Sequence, residues 1–216
     1  DARRLGKSSG ALVVLWGEIQ SAADFVSTIS ANLTFVGSLG VFQRPNTNVI
    51  GKVELRELDS LDGDIAVLGE VLSRFFDGYH AFYSATDETG LKLARSKFRD
   101  ALNEMDGRMV QPGDSDALRD IRATLLFYMG NAELALENLE SAAGWFLQSM
   151  REAQWVNGGD FQTRYVHAAN NLGWLQIKAG QYSMAIETLD TTELECAEMS
   201  TLRACAYVWY NRGDAE

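Results

Sequence analysis

The spacing of apolar residues changes once along this chain, near residue 60. Before that point it has the period of strands. Residues 11–16 are apolar on both faces, with β-branched Val13 and Val14, which predicts a strand over 11–20 covered on both sides. Residues 21–24 make a connection. From Phe25 to Val36, Phe25, Ile29, Ala31, Leu33 and Phe35 alternate with Thr28, Ser30, Asn32 and Thr34. This predicts a half-buried strand paired antiparallel to the first as a hairpin. Residues 37–48 hold Gly37, Gly40 and Pro45 and read as loop, and alternation resumes over 49–58 as a third strand. Residues 1–9 read as the end of a helix stopped by Gly10. After Asp59–Gly63 the period becomes about 3.6. Ile65, Leu68, Val71, Leu72, Phe75, Phe76, Tyr79 and Phe82 share one broad stripe, which needs cover on more than one side.

From there the helical pattern recurs in pairs. Residues 91–105 carry Leu93, Ala94, Phe98, Ala101 and Leu102. Residues 117–136 and 140–153 follow a turn at 111–114, with Asp114 or Ser115 as cap, and 161–179 follows a loop at 156–160, with Asp160 as cap. The clearest pair is residues 170–189, NNLGWLQIKAGQYSMAIETL, where two amphipathic helices meet at a turn centred on Gly180. Small residues at Gly173 and Ala185, twelve apart, let those helices approach closely. Gly130 and Ala142 repeat the twelve-residue spacing, with Phe146 and Ser149 beyond. Gly78 precedes Ala94 by sixteen, which predicts an extra turn or a longer loop. Ala206 and Gly213 each stand thirty-three residues after Gly173 and Gly180, so residues 200–212 read as the first helix of a further unit and 214–216 as the opening of the next helix.

These spacings resemble those of the tetratricopeptide repeat (TPR), a helix-turn-helix unit of 34 residues. The resemblance implies a right-handed α-helical solenoid over 61–216, with units at 63–108, 115–157, 161–194 and a truncated 200–216. Residues 10–19, GALVVLWGEI, loosely resemble the compact α/β modules that precede repeat arrays in bacterial multidomain signalling proteins. The expected fold class is therefore α+β: a small three-stranded, mostly antiparallel sheet with a helix over 1–60, sealing one end of the solenoid. A chain that begins within one helix and ends within a repeat is expected to be part of a longer protein.

Bulk composition narrows the partners. A formal charge of −11 repels phosphate backbones and anionic lipid, leaving neutral or basic protein segments as compatible partners. No run of about 18 apolar residues is present. If one helix held both Cys196 and Cys205, nine residues apart, a disulfide would be excluded by about 13 Å of rise. Buried reduced thiols and a cytoplasmic location are the resulting expectation. The two histidines stand apart, no phosphate loop or nucleophile elbow is present, and no nucleophile–base pair can be named. The expectation is a non-enzyme without cofactor or metal.

In the family resembled, the first helix of each unit lines a concave groove that holds peptides. Carried onto this sequence, the groove residues are Thr124, Phe127 and Asn131, with Leu134 alongside; His167, Asn170, Trp174 and Lys178, with Ile177; and Arg203, Tyr207 and Tyr210, with Asn211. Asn pairs with peptide backbone, Lys and Arg hold carboxylates, and Trp and Tyr supply rigid contact area. The competing reading makes the aromatic residues, Trp174 and Tyr207 above all, packing between helices. Some members grip C-terminal carboxylates of chaperones. Here only Asn170, Lys178 and Arg203 could serve, and Phe127 stands in place of a cation. Two alternatives remain open: self-association through exposed Val208, Trp209 and Tyr210, and small-ligand sensing by residues 1–60.

Overall fold

The computed structural model describes residues 13–21, 27–35, 47–55, 61–108, 116–154, 159–197 and 202–216. From Leu61 the chain folds as α1 (Leu61–Ser84), α2 (Glu88–Arg108), α3 (Asp116–Ala135), α4 (Leu139–Ala153), α5 (Gly159–Lys178), α6 (Tyr182–Ala197) and α7 (Leu202–Ala215). Each helix packs on the next, and α1, α3, α5 and α7 also touch in series. The odd-numbered helices thus form one layer and the even-numbered helices a second, an arrangement compatible with a helical repeat or solenoid.

The seam inside each pair is a glycine on the odd helix facing a bulky side chain on the even one. A Cβ placed on Gly78 would lie 2.8 Å from the Phe98 ring, on Gly130 2.5 Å from Phe146, and on Gly173 2.7 Å from Leu189. Absence of a side chain is what lets these helices meet. On the even helices one fully buried series recurs: Ala94, Phe98 and Ala101; Ala142, Phe146 and Ser149; Ala185, Leu189 and Thr192. Ser149 satisfies its buried hydroxyl by donating to the carbonyl of Ala123 on α3 at 2.7 Å. Arg122 of α3 ties the neighbours together, pairing with Asp106 of α2 at 2.9 Å and with Glu152 of α4.

Two of the turns share one geometry. Gly180 takes φ +72°, and the Gly180 and Gln181 amides donate to the carbonyls of Ile177 and Gln176. Forty-three residues earlier, Glu137 takes φ +62°, and the Glu137 and Asn138 amides donate to Leu134 and Glu133. Both close their helices as Schellman motifs. Glu137 therefore occupies a left-handed position that favours glycine.

The expected α+β class is overturned. Residues 61–216, as far as described, hold seven helices and no strand, and the three hydrophobic clusters among the described residues are built from helices alone. The body is all-α. The three N-terminal strands, β1 (Val13–Ser21), β2 (Ser27–Phe35) and β3 (Thr47–Leu55), pair antiparallel in that order, with Leu15 opposite Leu33 and Ile19 opposite Ile29. Period-two alternation specifies such local pairing, and β3 also meets α3, but the described core is assembled by the helices. The helix expected over residues 1–9, which would have completed an α/β module, lies outside the described residues, as do the caps expected at Asp114 and Ser115.

Several local expectations are also corrected. The linkers within the three pairs all span three residues (85–87, 136–138, 179–181), so the offset of Gly78 comes from longer helices and not from a longer loop. Residues 213–215 continue α7 instead of opening another helix, since Arg212 pairs with Glu216 one turn on and Ala215 is buried. Val208, expected at the surface, is fully buried between α7 and its neighbours. The two cysteines are not free thiols of one helix: Cys196 of α6 and Cys205 of α7 form a disulfide with Cα atoms 5.7 Å apart. A break between the helices replaces the axial rise assumed from sequence, and the argument for a reducing compartment goes with it.

Gly130→Ala is expected to lower stability by about 1–3 kcal/mol through overpacking against Phe146. Gly144→Ala, on an open part of α4 where a Cβ meets nothing within 4 Å, should be neutral or stabilising by up to ~1 kcal/mol. Glu137→Gly should stabilise by roughly 0.5–1 kcal/mol. Urea denaturation of the three variants checks the set, and an unaffected Gly130→Ala would contradict the seam.

Candidate groove on the inner helices

Asparagines link the odd helices across the layer. Asn171 of α5 donates through Nδ2 to Oδ1 of Asn131 on α3 at 3.1 Å. Asn211 of α7 donates in the same way to Asn170 on α5 at 2.9 Å. The bonds span 40 and 41 residues of sequence, and each uses one end of each amide. Among the described residues this leaves the Asn170 NH2 as a spare donor and the Asn211 carbonyl oxygen as a spare acceptor.

Beside these amides lies a cavity of about 570 Å³. Leu134 of α3 and Asn170, Asn171 and Trp174 of α5 form one wall, and Ala206, Tyr207, Tyr210 and Asn211 of α7 form the other. Its size is that of a small-ligand or side-chain pocket, and its lining is uncharged. Trp174 is half-buried and packs into the cluster of α4 and α5 while one side faces the cavity. The Lys178 ammonium sits 5.4 Å from the Trp174 ring centre, where the ring's negative face attracts it. Tyr210 is 68% exposed and Tyr207 is also exposed, so neither fills a helix–helix seam.

The earlier part of the inner layer is built differently. Tyr79 and Tyr83 of α1 and Tyr128 of α3 form a close aromatic group with Phe75 and Phe98. Burial, then the neighbouring tyrosines, raises the Tyr79 hydroxyl well above the usual phenol range. Burial and then Tyr83 raise that of Tyr128. Both stay protonated donors at any physiological pH. His167 of α5 meets Phe127 edge-on at 6.2 Å between ring centres. His167 is exposed as a residue, and partial loss of water around its imidazole, then the charge of Arg164, lowers its pKa from the usual value.

Of the residues named from sequence, Asn170, Trp174, Tyr207 and Tyr210 meet at the cavity, with Leu134 and Asn211. Asn131 and Lys178 stand one contact away, on Asn171 and on Trp174. Phe127 and His167 belong to the earlier stretch, where Phe127 also touches Tyr128 and Phe146. Ile177 packs with Val166, Leu189 and the cysteines and is a core residue. Thr124 is half-buried on α3 and already engaged. Arg203 belongs to α7, but its side chain lies outside the described residues. Sequence reasoning passed over Asn171 and Ala206. The Asn170–Asn171 doublet and the thirty-three-residue step from Gly173 to Ala206 were the available signals.

Above about pH 6.5 His167 is neutral in both folded and unfolded chains. As pH falls below that value the unfolded chain takes up a proton that the native imidazole resists, so this residue's share of stability is lost on acidification. His167→Gln should lose less stability than the parent between pH 7.5 and pH 5, as read by urea midpoints, and equal losses would contradict the assignment. Among the described residues no helix is long and apolar enough to cross a membrane, and no group of three or more His, Cys, Asp or Glu could hold a metal. No family model matches the chain, and no curated protein matches it in sequence.

Proposed function

We propose that the chain is a tetratricopeptide-type interaction module of a larger protein, holding an extended peptide segment along α3, α5 and α7. The observation that carries this reading is the cavity between α5 and α7 with its unused amide ends. A peptide bond offers one N–H and one C=O, and the Asn211 oxygen and Asn170 NH2 match that pair, while Trp174, Tyr207 and Tyr210 supply a pocket for an apolar side chain. The recurrence of a glycine, an alanine and a bulky residue (Phe98, Phe146, Leu189) at matching positions of three consecutive helix pairs supports the repeat assignment. The charge of −11 favours a neutral or basic segment. Self-association is the second reading, favoured by Leu194 at 74% and Trp209 at 46% exposure near the disulfide-linked helices.

The test is selection of random displayed peptides on the purified protein. Tyr210→Ala, removing an exposed ring, is expected to weaken the selected peptides about tenfold or more while leaving the melting temperature nearly unchanged. Asn170→Ala should weaken them by a similar factor. Full affinity in both variants would overturn the groove assignment. Light scattering that shows a dimer abolished by Trp209→Ser would favour the second reading.

A further inference from the structure

The cavity has two walls, and the α7 wall is held in an unusual way. α7 contributes Ala206, Tyr207, Tyr210 and Asn211, so without α7 the cavity is an open face of α5. The earlier helix pairs are locked by large buried side chains, Phe98 and Phe146. Among the described residues α7 buries nothing of that size: its buried positions are Cys205, Val208, Asn211 and Ala215. Its polar ties to α6 run through Arg212, which pairs with Asp190 at 2.5 Å and Glu193 at 3.5 Å but is about one-third exposed. Such pairs contribute little in water. α7 also meets α5, through the hydrogen bond from Asn211 to Asn170 and through Val208, which lies in the cluster with Val166 and Leu189. Its covalent link is the bond from Cys205 to Cys196 on the last turn of α6.

We propose that the Cys196–Cys205 disulfide is a redox staple: oxidised, it docks α7 on α6 and completes the cavity, and reduced, it releases α7 and opens it. The proposal rests on the reading of the cavity as a peptide site for what the staple controls, but the docking itself does not depend on any ligand. The reductant is a dithiol. One of its thiolates attacks the sulfur of Cys196, the more accessible of the two, and Cys205 leaves as a thiolate that takes up a proton. The second thiol of the reductant displaces Cys196 from the mixed disulfide. The protein gains two electrons and two protons, and the dithiol becomes a disulfide. Both cysteine residues are buried, so the reaction proceeds through partial opening of the α6–α7 seam.

The experiment compares hydrogen exchange of the whole chain before and after dithiothreitol, alongside a Cys196→Ser/Cys205→Ser variant. Amides of residues 202–215 are expected to exchange at least about tenfold faster in the reduced protein and in the variant, with α1–α4 unchanged. Iodoacetamide added under denaturing conditions should label no cysteine before reduction and two after it. Should the variant fail to fold, reduction of the parent protein carries the comparison alone. Equal exchange of α7 in both redox states, or two labels without reductant, overturns the staple. A displayed peptide selected on the oxidised protein should bind the reduced form at least tenfold more weakly. If α7 loosens but that affinity holds, control of the cavity is overturned while the groove reading stands. If no peptide is selected at all, the groove reading fails and exchange still decides the docking.

Discussion

Three glycines set how near the paired helices of this protein can lie. At Gly78, Gly130 and Gly173 the partner side chain occupies the space a Cβ would need. Phe98, Phe146 and Leu189 can be fully buried only because the odd helix presents bare backbone to them. The consequence reaches the inner face. The odd helices, held at these short distances from their even partners, come close enough to one another for Asn131 to meet Asn171 and for Asn170 to meet Asn211. The cavity lies beside the second of those bonds.

The inner layer combines two kinds of surface that serve different ends. Around Tyr79, Tyr83 and Tyr128 the rings pack on one another, and burial keeps the Tyr79 and Tyr128 hydroxyls protonated. Around Trp174 and Tyr210 the rings keep a face or an edge free. Paired asparagines suit a chain of net charge −11, because amides join neighbouring helices without adding to the self-repulsion of the surface. Glu133 is the counterexample. It is buried, and it is tolerated because Arg95 and Asn138 both reach its carboxylate, Asn138 at 2.7 Å.

Helix pairing was legible along the chain because it rests on short-range spacing. The twelve residues from Gly130 to Ala142 and from Gly173 to Ala185 count the same turns of helix in each unit, and each helix pair begins and ends within a few residues of where the periodicity changes. The fold class was not legible. Alternation over residues 11–58 signals strand pairing equally well whether or not a covering layer exists, and the described core contains helices alone. Glu137 escaped notice for a similar reason: nothing in a glutamate announces a left-handed residue, and only the position equivalent to Gly180 exposes it.

The sequence by itself determined which residues could stand on the inner helices, since a period of 3.6 places Asn170, Trp174, Tyr207 and Tyr210 on definable faces. Only the tertiary structure decided which of them share a cavity. That depends on how α5 and α7 pack on each other, which brings together side chains about forty residues apart in the chain. The cysteines show the same division. Nine residues of separation are compatible with a free pair on one helix or a bonded pair across two, and the break between α6 and α7 chooses the second.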